Sequence, residues 1–255
     1  MLEVRSKESF NIVFRNVAEK MPFVIHTRGQ RKIVIANDKP VAIYQKTITE
    51  DILSNRKEAK QIMSIVRKSA TKYIKNHLGD IPTIPRLCPV TFNNIDLWEE
   101  MGAGEEFYLI DASHCYWRVA YILGYISKNV YEKYAENKDL KTLKNISLSI
   151  LSSTIKREYY QNGEKYLEIE SDITDYKKIY NNIRHYAYNN SGEVKDAIPD
   201  FCIAYRVDGV YLLREGLKRA KAIFDKNNLL YKVTKCVKID EKNYSNEDGE
   251  VKKIF

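Results

Sequence analysis

The run Phe107-Tyr-Leu-Ile-Asp-Ala-Ser-His-Cys-Tyr-Trp117 decides how the rest of the chain is read. Phe107 to Ile110 has the apolar and aromatic character of a strand. From about Ser113 to Ile126 the apolar residues Tyr116, Val119, Ala120, Ile122 and Leu123 recur at helical spacing. Between strand and helix stands one carboxylate, Asp111. An acid buried without a partner is costly, so one at the end of a buried strand needs a cation, a hydrogen-bonding partner or open solvent in front of it.

Downstream, Glu132 to Ile155 reads as a second helical region, and Tyr166 to Glu170 as a strand after the turn at Asn162-Gly163. Thr174 to Asn189 forms a third helix, with Tyr176, Ile179, Tyr180, Ile183 and Tyr186 on one side. Phe201 to Arg206 and Val210 to Leu213 flank Val207-Asp208-Gly209, which is hairpin chemistry. A last amphipathic helix, Arg214 to Asn227, and a last strand, Leu229 to Ile239, complete the series. Helices on one face of an antiparallel sheet make an α+β layer. In a ferredoxin-like version of it, Asp111 and Asp208 come to neighbouring points although they lie far apart in sequence. Two carboxylates held together there form a site for a pair of Mg²⁺ (or Mn²⁺) ions.

Upstream, residues 4 to 20 read as a short amphipathic helix or an arm. Pro22 to His26, Lys32 to Ile35 and Val41 to Tyr44 alternate as a small β-ribbon, with turns at Arg28-Gly29 and Asn37-Asp38-Lys39-Pro40. Thr49, followed by Glu50 and Asp51, supplies an N-cap and favourable first-turn charges for a helix to Asn76. Its apolar positions Ile52, Ile62, Met63, Ile65, Val66, Tyr73 and Ile74 oppose Arg56, Lys57, Lys60, Arg67, Lys68, Lys72 and Lys75. Such a row of cations either tracks a phosphate backbone or is a solvated face. Residues 79 to 106, with Pro82, Pro85, Pro89, Gly102 and Gly104, form a connection with little regular structure except near Ile95 to Met101. The expected division is therefore an N-terminal α/β module at 1–104 and an α+β domain at 105–255.

The 255 residues carry a formal charge of +8 and include 19 Tyr, which suits a phosphate-rich partner offering faces to stack on. A lysine-rich composition inherited from an AT-rich genome accounts for the charge equally well. Cys88, Cys115, Cys202 and Cys236 stand singly without a CxxC pair, which argues against zinc and against a disulfide framework. No apolar run has the length of a membrane span and the first residues do not form a signal peptide, so a cytoplasmic protein without a membrane partner is expected. The chain has neither GxGxxG nor GxxxxGK[ST]. His26, His77, His114 and His185 are scattered without ligand spacing, and His114 beside Cys115 is a site-rim residue rather than half of a dyad, since adjacent helical residues diverge by about 100°.

Three segments together resemble the motifs of family B DNA polymerases. Asp111-Ala-Ser-His-Cys-Tyr116 is similar to motif A, in which an Asp is followed five positions later by a Tyr lying under the incoming sugar. Lys141-Thr-Leu-Lys-Asn145-Ile-Ser147 is similar to motif B, and Tyr205-Arg-Val-Asp208-Gly209 resembles motif C; their order along the chain agrees with the family. The resemblance implies a palm domain. Asp111 and Asp208 would hold two divalent ions, Tyr116 would select deoxyribose, and Lys141, Lys144, Asn145 and Ser147 would contact a dNTP. Lys242-Asn-Tyr244, with Arg206, would lie against the DNA or RNA strand.

The chain also departs from the family. Arg206 replaces the first acid of motif C, leaving Asp200 or Asp240 as substitutes if that acid is needed, and Ser147 stands one place late. The short interval from Asp111 to Lys141 leaves the fingers a stub. Three expectations follow: a minimal polymerase or nucleotidyltransferase of a phage or mobile element, one piece of a polymerase whose fingers or thumb come from another chain, or a palm that has lost synthesis and kept nucleic-acid binding. Read without the resemblance, Asp111 caps a helix, Asp208 belongs to an ordinary Asp-Gly turn, Tyr116 is core and the lysines are solvated.

Overall fold

The computed structural model describes residues 2–4, 21–28, 31–45, 56–135, 140–152, 155–171 and 174–255. The expected arm before residue 21, the Thr49 cap with Glu50 and Asp51, and Gly29 of the first turn lie outside the described residues. The chain forms two units, each drawn from separated segments: 1–74 with 142–180, and 75–141 with 181–255.

The first unit is built on a six-stranded sheet of order β1-β4-β3-β2-β7-β8. Its strands are β1 (Leu2–Val4), β2 (Phe23–Arg28), β3 (Arg31–Ala36) and β4 (Lys39–Gln45), followed by β7 (Ile155–Gln161) and β8 (Glu164–Ser171). Alternation drives it: Phe23, Ile25, Val34, Ala36 and Ala42 are buried together on one face. Asn37 and Asp38, at φ 49° and 57°, make the tight turn from β3 to β4, a backbone that Asn and Asp tolerate. Helix α1 (Arg56–Asn76) buries Ala59, Ile62, Val66 and Ala70.

The second unit carries a seven-stranded antiparallel sheet of order β13-β12-β11-β6-β10-β9-β5. The strands are β5 (Thr91–Asn93), β6 (Glu106–Ala112), β9 (Cys202–Arg206), β10 (Gly209–Leu212), β11 (Tyr231–Lys238), β12 (Asn243–Asn246) and β13 (Val251–Lys253). Its helices are α2 (Ile95–Glu100), α3 (Cys115–Ile122), α4 (Lys128–Ala135) and α7 (Leu217–Lys226). Two further helices, α5 (Lys141–Ser149) and α6 (Thr174–Ala197), run across the boundaries of the units in sequence. The four middle strands, β11-β6-β10-β9, have helical segments between β6 and β9 and between β10 and β11. This is the split β-α-β-β-α-β connectivity, which sets the first strand beside the third and so brings β6 against β10.

The architecture is α+β, as expected, but its partition differs. The boundary expected at 104/105 falls inside the second unit, because β5 pairs with β9 and the Trp98 ring packs edge-on to Phe107. The strand at Tyr166 to Glu170 is part of β8 and lies in the first sheet. Its hairpin partner β7 pairs with β2, where Phe23 and Tyr160 stack at 4.7 Å. The helical region from Glu132 divides into α4, α5 and a 3₁₀ turn at Ile150–Ser152, and its end becomes β7.

The proline-rich segment has a defined seat. Asn182 donates to the Pro82 carbonyl (2.6 Å) and accepts from the Ile84 N–H (2.8 Å). His185 Nδ1 meets the Ile84 carbonyl, and Asn189 pairs with the Pro85 carbonyl and the Leu87 N–H. These three α6 residues share one helix face. Their side chains thus satisfy a stretch of backbone that has no strand beside it.

Candidate active site

Asp111 stands near the end of β6 and Asp208 in the turn between β9 and β10. The register sets Gly209 directly across from Asp111, and the Ala112 N–H donates to the Asp208 carbonyl at 3.1 Å. The strand alternation that buries Phe107 carries Asp111 to the same face. The approach beside it is close, since a Cβ on Gly209 would lie 3.0 Å from the Asp111 Oδ1.

The turn itself is held under strain. Val207 adopts φ 53°, a left-handed backbone that a β-branched residue rarely takes. Three bonds fix it: the Val207 N–H donates to the Val90 carbonyl (3.0 Å), Ser191 Oγ donates to the Val207 carbonyl (3.0 Å), and β6 grips the Asp208 carbonyl. The seated segment, helix α6 and strand β6 therefore set the direction of Asp208 together.

Both carboxyls are half-buried. Burial pushes Asp208 up to about 6, helped by the negative charge of Asp111 and opposed by Lys141 and by a hydrogen bond from the Cys115 thiol. Asp111 is raised by burial, with Lys141 and Lys252 pulling the other way. Cys115 is buried at the start of α3; burial first, then the two carboxylates, push its thiol well above the usual range. It donates to Asp208 as a neutral thiol. Tyr116, one residue on, is half-buried and bonded to Tyr188; burial and that bond hold its hydroxyl protonated. Arg184 in turn donates to Tyr188 Oη at 2.9 Å and lies against its ring. His114 caps α3 in a left-handed conformation.

Asp111, Asp208, Tyr116 and Lys141 are thus brought into one electrostatic neighbourhood. Lys144 and Ser147 are buried and Asn145 is exposed; all three belong to the first unit, whereas the acids belong to the second.

The residues expected along the nucleic-acid strand are placed otherwise. Arg206 is spent internally, its guanidinium donating to the carbonyls of Phe92, Tyr205 and Ile254. Tyr244 is 2% exposed in the cluster of Trp98 and Phe107, because pairing of β12 with β11 turns its ring inward. Tyr244 is thus buried, Arg206 half-buried and Lys242 exposed. Asp240 accepts from the Lys242 and Asn243 N–H groups in its own turn.

Cys115, Tyr188, Ser191 and Lys252 join the site without having been expected there. Only Cys115 carried a signal, by lying inside the opening run. A comparison with protein-family models, curated proteins and solved structures matches none of them to this chain.

Proposed function

We propose that the second unit is a polymerase-like palm carrying out metal-assisted nucleotidyl transfer on a nucleic-acid or protein primer. The observation that supports this most is the acid pair. Two half-buried carboxylates, Asp111 on β6 and Asp208 in the turn leading into the adjacent β10, stand in the middle of a split β-α-β-β-α-β sheet, each raised by burial and one raised further by the other.

Among the described residues no group of three or more His, Cys, Asp or Glu could hold a metal ion, so this chain offers two carboxylates. They still fit a hard divalent cation, because the donors are oxygen and a positive charge between them relieves a repulsion that Lys141 and Lys252 only partly offset. Zinc fits less well, since the nearby sulfur is a protonated thiol. Asp111 and Asp208 would hold Mg²⁺ or Mn²⁺, which when bound would activate the attacking oxygen and stabilise the leaving one.

The chain's own groups would do the rest. Lys141, exposed near the acids, would offset charge on the departing pyrophosphate. The Tyr116 ring, held by Tyr188, would bound the sugar subsite and disfavour a ribose. Gly209 leaves space beside Asp111 for a substrate oxygen.

Primer extension or terminal addition with dNTPs in Mg²⁺ or Mn²⁺ tests the reading. Asp111→Asn and Asp208→Asn are each expected to reduce incorporation by at least about 100-fold, the scale of losing a main electrostatic contact. Incorporation that survives in both variants would sink the proposal.

One observation favours a second reading, a palm that binds nucleic acid without synthesis: Arg206 replaces an acid and is tied into the sheet by three carbonyls. Under it, wild type binds nucleic acid and incorporates nothing with either metal.

A further inference from the structure

We infer that helix α1 of the first unit is a docking surface for the phosphate backbone of a nucleic-acid duplex, separate from the acid pair. Lys57, Lys60, Arg67, Lys68 and Lys72 are all exposed. At about 100° per residue they fall within an arc of about 140°, centred opposite the buried Ala59, Ile62, Val66 and Ala70. From Lys57 to Lys72 the row spans about 22 Å at 1.5 Å per residue.

None of the five cations has a carboxylate within ion-pair distance among the described residues, and the helix has a single acid, Glu58, in its first turn. Exposed lysines elsewhere often do face carboxylates, as in Lys128–Glu132, Lys165–Glu168, Lys226–Glu193 and Lys235–Glu106. A lysine-rich composition alone would leave acids at i±4 along this helix as well. Segregation of charge onto one face marks the surface as fitted to a polyanion.

The rest of that face chooses among polyanions. It carries no exposed large apolar residue, which an interfacial helix needs to enter a lipid surface. Its exposed residues include no aromatic ring, only Gln61 and Ser64 among the cations, so it offers no platform for stacking unpaired bases. What remains is contact with regularly spaced phosphates, without sequence preference.

The test is the salt dependence of binding by the full chain to a mixed-sequence DNA duplex, by fluorescence anisotropy across ionic strength. The variant Lys60→Gln/Lys68→Gln/Lys72→Gln keeps helix propensity and removes three charges. It is expected to bind more weakly and to lower the slope of log K against log salt by about 2 to 3, near 0.9 per lost phosphate contact. Asp111→Asn/Asp208→Asn should leave that slope unchanged while bearing on incorporation, so the two proposals can fail separately. Circular dichroism of the triple variant confirms that the helix is retained. An unchanged slope in the triple variant overturns the inference. So does wild-type binding to anionic phosphatidylserine vesicles with none to duplex, or tighter binding to single strands than to duplex.

Discussion

At the residue scale the acid pair makes a prediction independent of any activity. Because the Asp208 carboxyl sits at about 6 in the folded chain against an ordinary 3.8, the native state holds a proton between those values that the unfolded state has lost. The contribution of Asp208 to stability is therefore greatest below about pH 4, falls as pH rises to about 6, and stays lower above it. The cost at neutral pH is on the order of 3 kcal/mol. Asp208→Asn should be more stable than wild type at pH 7, with the gain vanishing below pH 4; urea denaturation at a series of pH values measures it. Mg²⁺ should recover part of the cost in wild type and none in Asp111→Asn/Asp208→Asn. A wild-type profile matching that of Asp208→Asn from pH 4 to 7 would mean that the fold does not raise the Asp208 carboxyl.

At the element scale the largest surprise is the segment Ile81 to Val90. Its prolines say where no helix or central strand can be, but nothing in them says what the extended chain lies on. The answer is in Asn182, His185 and Asn189, whose helical spacing reads from sequence as an ordinary polar side. Asn182 is 1% exposed and bonds to Pro82, Ile84 and the Tyr125 hydroxyl. Asn182→Ala would remove three hydrogen bonds made from a buried position, a cost of about 2 to 4 kcal/mol visible in chemical denaturation. The segment also approaches α6 closely at Gly192, where a Cβ would stand 2.5 Å from Cys88 Sγ. Since Val90 holds the Val207 N–H, loosening the segment should also blunt whatever Asp208 does. Asp111 and Asp208 were legible for the opposite reason: a strand ending in an acid and an Asp-Gly turn are local signals, and the register between them follows from one common connectivity. Tyr244 was not, because its burial is decided by β12, four residues whose pairing no local pattern announces.

At the scale of the whole molecule, composition and order of elements made an α+β chain legible, whereas the grouping of elements was not. Each unit closes through pairings distant in sequence: β7 finds β2 across more than half the chain, and β5 finds β9 from the far side of α6. A cut at residue 104 therefore severs contacts that sequence alone presents as a linker. A fragment 105–255 loses Trp98 from against Phe107, the Trp98 and Met101 carbonyls that accept from the buried Lys238 ammonium, and the backbone that Asn182 satisfies. An uncompensated buried ammonium alone costs several kcal/mol, comparable with the whole stability of a domain. A fragment 75–255 keeps every segment of the second unit; like 105–255 it also carries 142–180 without the β2 that β7 pairs with, so the two differ only in 75–104. Expressed side by side, 75–255 should unfold cooperatively in urea, whereas 105–255 should be insoluble or melt without a sharp transition. A transition in 105–255 as steep and as late as that of 75–255 would show that the second sheet is complete without β5 and α2, and that the boundary read from sequence was the right one.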